Sequence, residues 1–166
     1  MPIQGFRERM LSGDLLAGTF QKTPAYEIVE VLAQSGLDFV CLDAEHSAFD
    51  RARMDACLAV GRALDFPVLV RVGAATPQDI LQALDSGATG VVVPHVTSAD
   101  RAAEVARWSR FGRGGRGYAG STRWAEYATQ PMAELLERSA RDTVVIAQIE
   151  DVEALDEVEA IAATEG

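Results

Sequence analysis

Residues 38–46, DFVCLDAEH, decide how the rest of this chain is read. Phe39, Val40, Cys41 and Leu42 run without Gly or Pro into Asp43, Glu45 and His46. A short apolar run of this kind fits a parallel strand buried on both faces. Ionisable groups gathered where such a strand stops belong to the open end of an α/β fold, the end that carries function. Two later runs end the same way. VLVRV at 68–72 delivers Arg71, and VVIAQIE at 144–150 ends on Gln148 and Glu150.

Working outward, residues 3–11 read as an amphipathic helix bearing Ile3, Phe6 and Met10, and 15–20 (LLAGTF) as a first strand. Thr23-Pro24 looks like a helix start, a capping side chain followed by a preset φ, and Ser35-Gly36 looks like its end. Asp50, Thr76 (before Pro77) and Ser98 read as N-caps of three further helices, with TGVVVPHV at 89–96 as the fourth strand. A helix over 132–139, the strand in 144–150 and a helix over 152–163 complete the chain. Such alternation implies a parallel sheet with right-handed crossovers. Five βα units fit either an open doubly wound sheet or part of an eight-stranded barrel; the lack of GxGxxG after the first strand counts against a dinucleotide fold. Residues 111–131 interrupt the pattern, with four Gly among the first seven. That loop reads either as backbone approaching an anion or neighbouring subunit, or as a surface excursion held by Arg and aromatic contacts.

Lys and Arg number 15 against 25 Asp and Glu, a net charge of −10, which argues against nucleic acid or an anionic membrane as partner. Neither a leader nor a membrane span is visible, so the cytoplasm is the expected compartment. Cys41 and Cys57 read as reduced, buried thiols.

Strand alternation sets Ile146, Gln148 and Glu150 on one face, and Leu69 with Arg71 on one face of their own strand. Such polar groups inside a barrel need a ligand, a metal or each other. A buried Arg71–Glu150 ion pair without a catalytic role is equally compatible with the spacing. Asp43 stands three residues before His46, near enough to orient the imidazole as a general base; a solvated loop histidine is the alternative. Glu45 reads as pointing to solvent. His95, just after Pro94, reads first as a structural histidine, with a place on the open face as the alternative; Asp85 reads first as a helix-end residue and second as a site or interface residue.

At this point the sequence resembles the HpcH/HpaI aldolases, the metal-dependent class II pyruvate aldolases. GLDFVCLDAEH, FPVLVRV, LQALDSGATGVVVPHV, FGRGGRG and VVIAQIED are similar to that family's motifs, in order, over nearly the whole chain from about Leu15. The resemblance implies a (β/α)8 TIM barrel of which this chain, 1–166, holds a single partial domain of about five βα units. It further implies a homo-oligomer, a hexamer in the family. By the same resemblance Glu150 binds a divalent cation (Mg²⁺, Mn²⁺ or Co²⁺), with a second carboxylate ligand expected beyond Gly166. His46, oriented by Asp43, is the base; Arg71 contacts the keto oxygen; Gln148 lines the site; and Asp85 faces the adjoining subunit's site. The implied reaction splits a 4-hydroxy-2-keto acid or a 2-keto-3-deoxy sugar acid into pyruvate and an aldehyde. Lys22, the single lysine, stands at no readable site position, which disfavours a Schiff-base route. Two departures, Phe20 in place of a Trp and His95 in place of a frequent Met, bear on aldehyde preference. Alternatives are a lyase like the citrate lyase β subunit or malyl-CoA lyase, and a truncated, non-catalytic barrel serving as an assembly or binding module.

Overall fold

The computed structural model describes residues 2–166. Helix α1 (Phe6–Ser12) comes first. It is followed by β1 (Gly18–Gln21), α2 (Tyr26–Ala33), β2 (Phe39–Asp43), α3 (Arg51–Ala63), β3 (Val68–Arg71), α4 (Pro77–Asp85), β4 (Gly90–Val93) and α5 (Ala99–Ser109). Then come α6 (Met132–Asp142), β5 (Val144–Ala147) and α7 (Val158–Ala162). Every strand pairing is parallel, and the order across the sheet is β1-β2-β3-β4-β5. That order separates the two architectures. A doubly wound sheet places its first strand in the interior, whereas a barrel wall adds each strand beside the one before it. The sheet is five consecutive units of such a wall. Among the described residues no helix is long and apolar enough to cross a membrane.

Local chemistry explains most boundaries. Asp50, Thr76 and Ser98 accept the backbone N–H of Arg53, Asp79 and Arg101, so three of the expected caps form. Gly36 and Gly87 take the left-handed φ (86° and 103°) that follows a helix end and that a side chain would resist. Thr23 caps no helix, since α2 starts at Tyr26 with Ala25 at its N-cap and no side-chain cap there, and two further elements differ from the sequence reading. The first strand begins at Gly18 rather than Leu15, which is left 96% exposed; the strand instead extends to Gln21, buried and donating to the Thr23 and Ala25 carbonyls. The last helix is split into a 3-10 turn (Val152–Glu157) and the short α7. Asp151 occupies its N-cap position without capping, because its carboxylate is turned to His95. Glu157 likewise turns away, accepting the Ala99 N–H at the start of α5.

Period-two alternation sorts the strand side chains onto two faces. Val40, Leu42, Val68, Val70, Val91 and Val93 pack against Val29, Leu58, Ile80, Leu84 and Val105 from the helices. Cys41, Leu69, Val92 and Val144 line the other face, closed at its base by Phe6 of α1. Both cysteines are free, and burial pushes the Cys41 thiol up to about 12 and that of Cys57 to about 11, so they remain protonated. Continuing the inner-face rows past the strand ends brings polar residues over this second cluster.

Candidate active site

The register pairs Asp43 at the end of β2 with Arg71 at the end of β3, so the two side chains emerge side by side. Arg71 grips Asp43 with two parallel bonds, Nε to Oδ1 at 3.0 Å and Nη2 to Oδ2 at 2.6 Å. Asp43 is fully buried and also accepts the backbone N–H of His46 at 3.0 Å. Burial alone raises the pKa of this carboxyl, but the guanidinium and the N–H outweigh it and hold it at about 2. The same ion pair, ahead of the cost of burial, raises the pKa of Arg71. Arg71 Cζ lies 4.9 Å from the centre of the Phe20 ring, which fixes the flat side of the guanidinium. Two of its nitrogens, Nε and Nη2, are committed to Asp43.

His46 corrects the first expectation. Asp43 holds its backbone, not its ring. The imidazole is 60% exposed, and its Nε2 lies 3.5 Å from Glu45 Oε1. Glu45 is a second correction. Its side chain does not point to solvent but is only 8% exposed, with Oε2 at 3.3 Å from Arg71 Nε and Oε1 at 3.6 Å from His95 Nε2. Lys22 is a third. Its ammonium stands 3.5 Å from Asp43 Oδ2, at the site rather than away from it.

Glu150 follows β5 and meets the same group of side chains from the other side. Its Oε1 accepts the His95 backbone N–H at 3.1 Å and lies 3.6 Å from His95 Nδ1. Gln148 donates to Glu150 Oε2 at 2.5 Å. Arg71 therefore pairs with Asp43 and Glu45 rather than with Glu150, which removes the simple Arg71–Glu150 bridge. Contacts run instead from Asp43 through Arg71, Glu45 and His95 to Glu150 and Gln148. His95 is thus no buried structural residue. It takes a left-handed φ of 55°, and its Nδ1 lies 2.9 Å from Asp151 Oδ2. That hydrogen bond first, and the charges of Asp151, Glu150 and Glu45, raise its pKa. Three carboxylates around one exposed imidazole leave an excess of negative charge. Glu45, His95 and Glu150 offer one ligand atom each, all within 4.8 Å of one another.

Asp85 lies elsewhere. It ends α4, at the amino-terminal edge of the sheet, where Arg116 Nε donates to it at 3.0 Å. Arg116 is 4% exposed and sandwiched between Phe111 and Trp124, with Cζ 4.6 and 4.8 Å from the ring centres. The glycine-rich loop is thereby an ordered excursion held by Arg and aromatic contacts, the second of its two readings. A cavity of about 370 Å³ opens at this same edge, among Arg62, Asp65, Trp124 and Arg141, and includes none of Asp43, Glu45, His46, Arg71, His95, Gln148 and Glu150.

Alternation extended past the strand ends would have found two of the missed residues. Glu45 stands two beyond Asp43, and Lys22 two beyond Phe20. His95 and Asp151 gave no comparable signal, because His95 owes its position to a backbone turn.

A family model described as HpcH/HpaI aldolase/citrate lyase matches residues 17–166. The chain is 31% identical to a hydroxypyruvate/pyruvate aldolase of Roseovarius nubinhibens, over 99% of this chain and 65% of that protein. It is 33% identical to a 4-hydroxy-2-oxovalerate aldolase of Rhodococcus jostii, over 99% of this chain and 64% of that one. A crystal structure of an HpcH/HpaI aldolase/citrate lyase family protein from Burkholderia cenocepacia superposes with a TM-score of 0.89 at 32% identity, covering 98% of this chain and 65% of that one. The chain thus spans about 65% of the length of these relatives.

Proposed function

Since the chain belongs to the HpcH/HpaI aldolase/citrate lyase family, we propose that it supplies the base, the guanidinium and a cation-binding carboxylate of a class II aldolase. The reaction is cleavage of a 4-hydroxy-2-keto acid or 2-keto-3-deoxy sugar acid to pyruvate and an aldehyde. The observation that carries this reading is the convergence of Asp43, Glu45, His46, Arg71, His95, Gln148 and Glu150, drawn from four strand ends, into one contact network.

The residues fit a divalent cation. Hard cations are bound through oxygen, and Glu45 and Glu150 provide it amid an excess of negative charge. Glu45 Oε2 is held beside the Arg71 guanidinium, which leaves Oε1, near His95 Nε2, as the oxygen that would meet a cation. A cation held by Glu150, whether Mg²⁺, Mn²⁺ or Co²⁺, supplies Lewis-acid polarisation of the keto oxygen. His46 takes the proton of the 4-hydroxyl, directly or through one water. The C3–C4 bond then breaks, its electron pair passing toward C2 as the aldehyde leaves. Arg71, kept charged and fixed by Asp43 and Phe20, directs Nη1 toward the negative oxygen that develops. Return of a proton to C3 gives pyruvate. Gln148 lines the pocket and holds Glu150 in place.

Assembly as a homo-oligomer belongs to the same proposal. In such an assembly Asp85, held by Arg116 at the far end of the sheet, would be the residue turned to a neighbouring copy.

Pyruvate release from a 4-hydroxy-2-keto acid should stop with EDTA and return with Mn²⁺ or Mg²⁺. Because Lys22 stands at the site, borohydride is added during turnover as a control, and the protein mass should stay unchanged. Activity that survives full chelation, or a pyruvate adduct trapped on Lys22, would replace the cation-dependent route with an imine.

A further inference from the structure

His95 brings a nitrogen donor to a cluster otherwise made of carboxylates. Its Nε2 lies 3.6 Å from Glu45 Oε1, and its Nδ1 lies 2.9 Å from Asp151 Oδ2. A carboxylate on one ring nitrogen fixes the tautomer that leaves the other nitrogen's lone pair for a cation, and it raises the basicity of that donor. Asp151 is in the position to do this, and its unused cap at the 3-10 turn is the structural cost.

Glu45 presents a fixed carboxylate to the same point. Its side chain is 8% exposed, yet Oε2 accepts no hydrogen bond among the described residues. The donor beside it, Arg71 Nε at 3.3 Å, gives its hydrogen to Asp43. Arg71 thus holds Oε2 by charge alone, which fixes the carboxylate with Oε1 turned to His95 Nε2 and left without a hydrogen-bond donor of its own.

We infer that His95 Nε2 is a cation ligand alongside Glu45 and Glu150, and that this nitrogen gives the site a preference for Co²⁺ or Zn²⁺ over Mg²⁺. The inference rests on the reading of the site as cation-dependent. Mg²⁺ demands oxygen ligands and gives up its waters reluctantly, whereas imidazole suits the later transition metals. A cation with bonds of roughly 2.0–2.2 Å sets its donors close to the 3.6 Å that now separates His95 Nε2 from Glu45 Oε1, with Glu150 within 4.8 Å of both.

Calorimetric titration of the metal-stripped protein with Co²⁺ and with Mg²⁺ tests this without any turnover. The variant is His95→Asn, since Asn tolerates the left-handed backbone at this position. Co²⁺ affinity should fall by at least about 10-fold, the scale of losing even an outer partner of a ligand. Mg²⁺ affinity should stay within about twofold, because Mg²⁺ makes little use of a nitrogen donor. Glu150→Gln should weaken both cations. Asp151→Asn, remote from the strained backbone, should lower Co²⁺ affinity by about 10-fold and serves alone if the first variant fails to fold. An unchanged ratio of Co²⁺ to Mg²⁺ affinity in these variants, while Glu150→Gln still weakens both, overturns the role of His95 and leaves the cation-dependent reading in place. Failure of the wild type to bind either cation overturns both.

Discussion

Replacing His46 with alanine should lower the turnover of pyruvate release by about 10²–10⁴-fold, the usual worth of a positioned base. Stability should hardly change. The imidazole is 60% exposed, and the contact that ties this residue to Asp43 is made by the backbone N–H, which alanine retains. Surface changes of this sort usually stay within about 0.5 kcal/mol. The rate and the unfolding midpoint are therefore expected to separate. An unchanged rate would remove His46 from the mechanism and turn attention to His95, the other imidazole beside Glu45.

Asp43→Ala should do the reverse, acting first on the fold. It strands Arg71, only 11% exposed, without its bidentate partner. Breaking one side of a buried ion pair typically costs about 3–5 kcal/mol. Glu45 Oε2, 3.3 Å from the guanidinium, offsets part of that loss, so the lower end is expected. The fall of the Asp43 pKa from 3.8 to about 2 is worth roughly 2 kcal/mol of this total. The sign follows from the direction. A carboxyl whose pKa is lowered by folding contributes fully above about pH 4, and the contribution is lost as pH drops through about 2. Urea unfolding at neutral pH and at pH 3 should show the variant closing on the wild type as acid is added. A constant gap would mean that Asp43 acts by packing alone.

Much of this was legible from letters because the signals were local. The apolar runs that became β2, β3 and β4 name themselves, and Asp50, Thr76 and Ser98 cap where their side chains allow. Asp43, Arg71, Gln148 and Glu150 lie at or just past strand ends, where period-two alternation reaches. What escaped was set by contacts across the chain. Glu45 is buried by Arg71 and His95, which arrive from other strands. Asp151, just before the helix read at 152–163, drew no reading, yet its carboxylate serves His95 and the helix begins late. Lys22 escaped because the first strand was read as stopping at Phe20, whereas it runs on to Gln21 and carries the lysine to the inner face beside Asp43. The pairing of Asp85 with Arg116 depended on how a glycine-rich loop packs its aromatics, and no periodicity encodes that.

The direct measurement is an anomalous-scattering map of crystals soaked with Mn²⁺ and pyruvate. The account predicts a peak within bonding distance of the Glu150 carboxylate, with the pyruvate keto oxygen turned toward that peak and toward Arg71 Nη1. A peak bound only away from Glu150, or pyruvate seated away from Arg71 and His46, would contradict it.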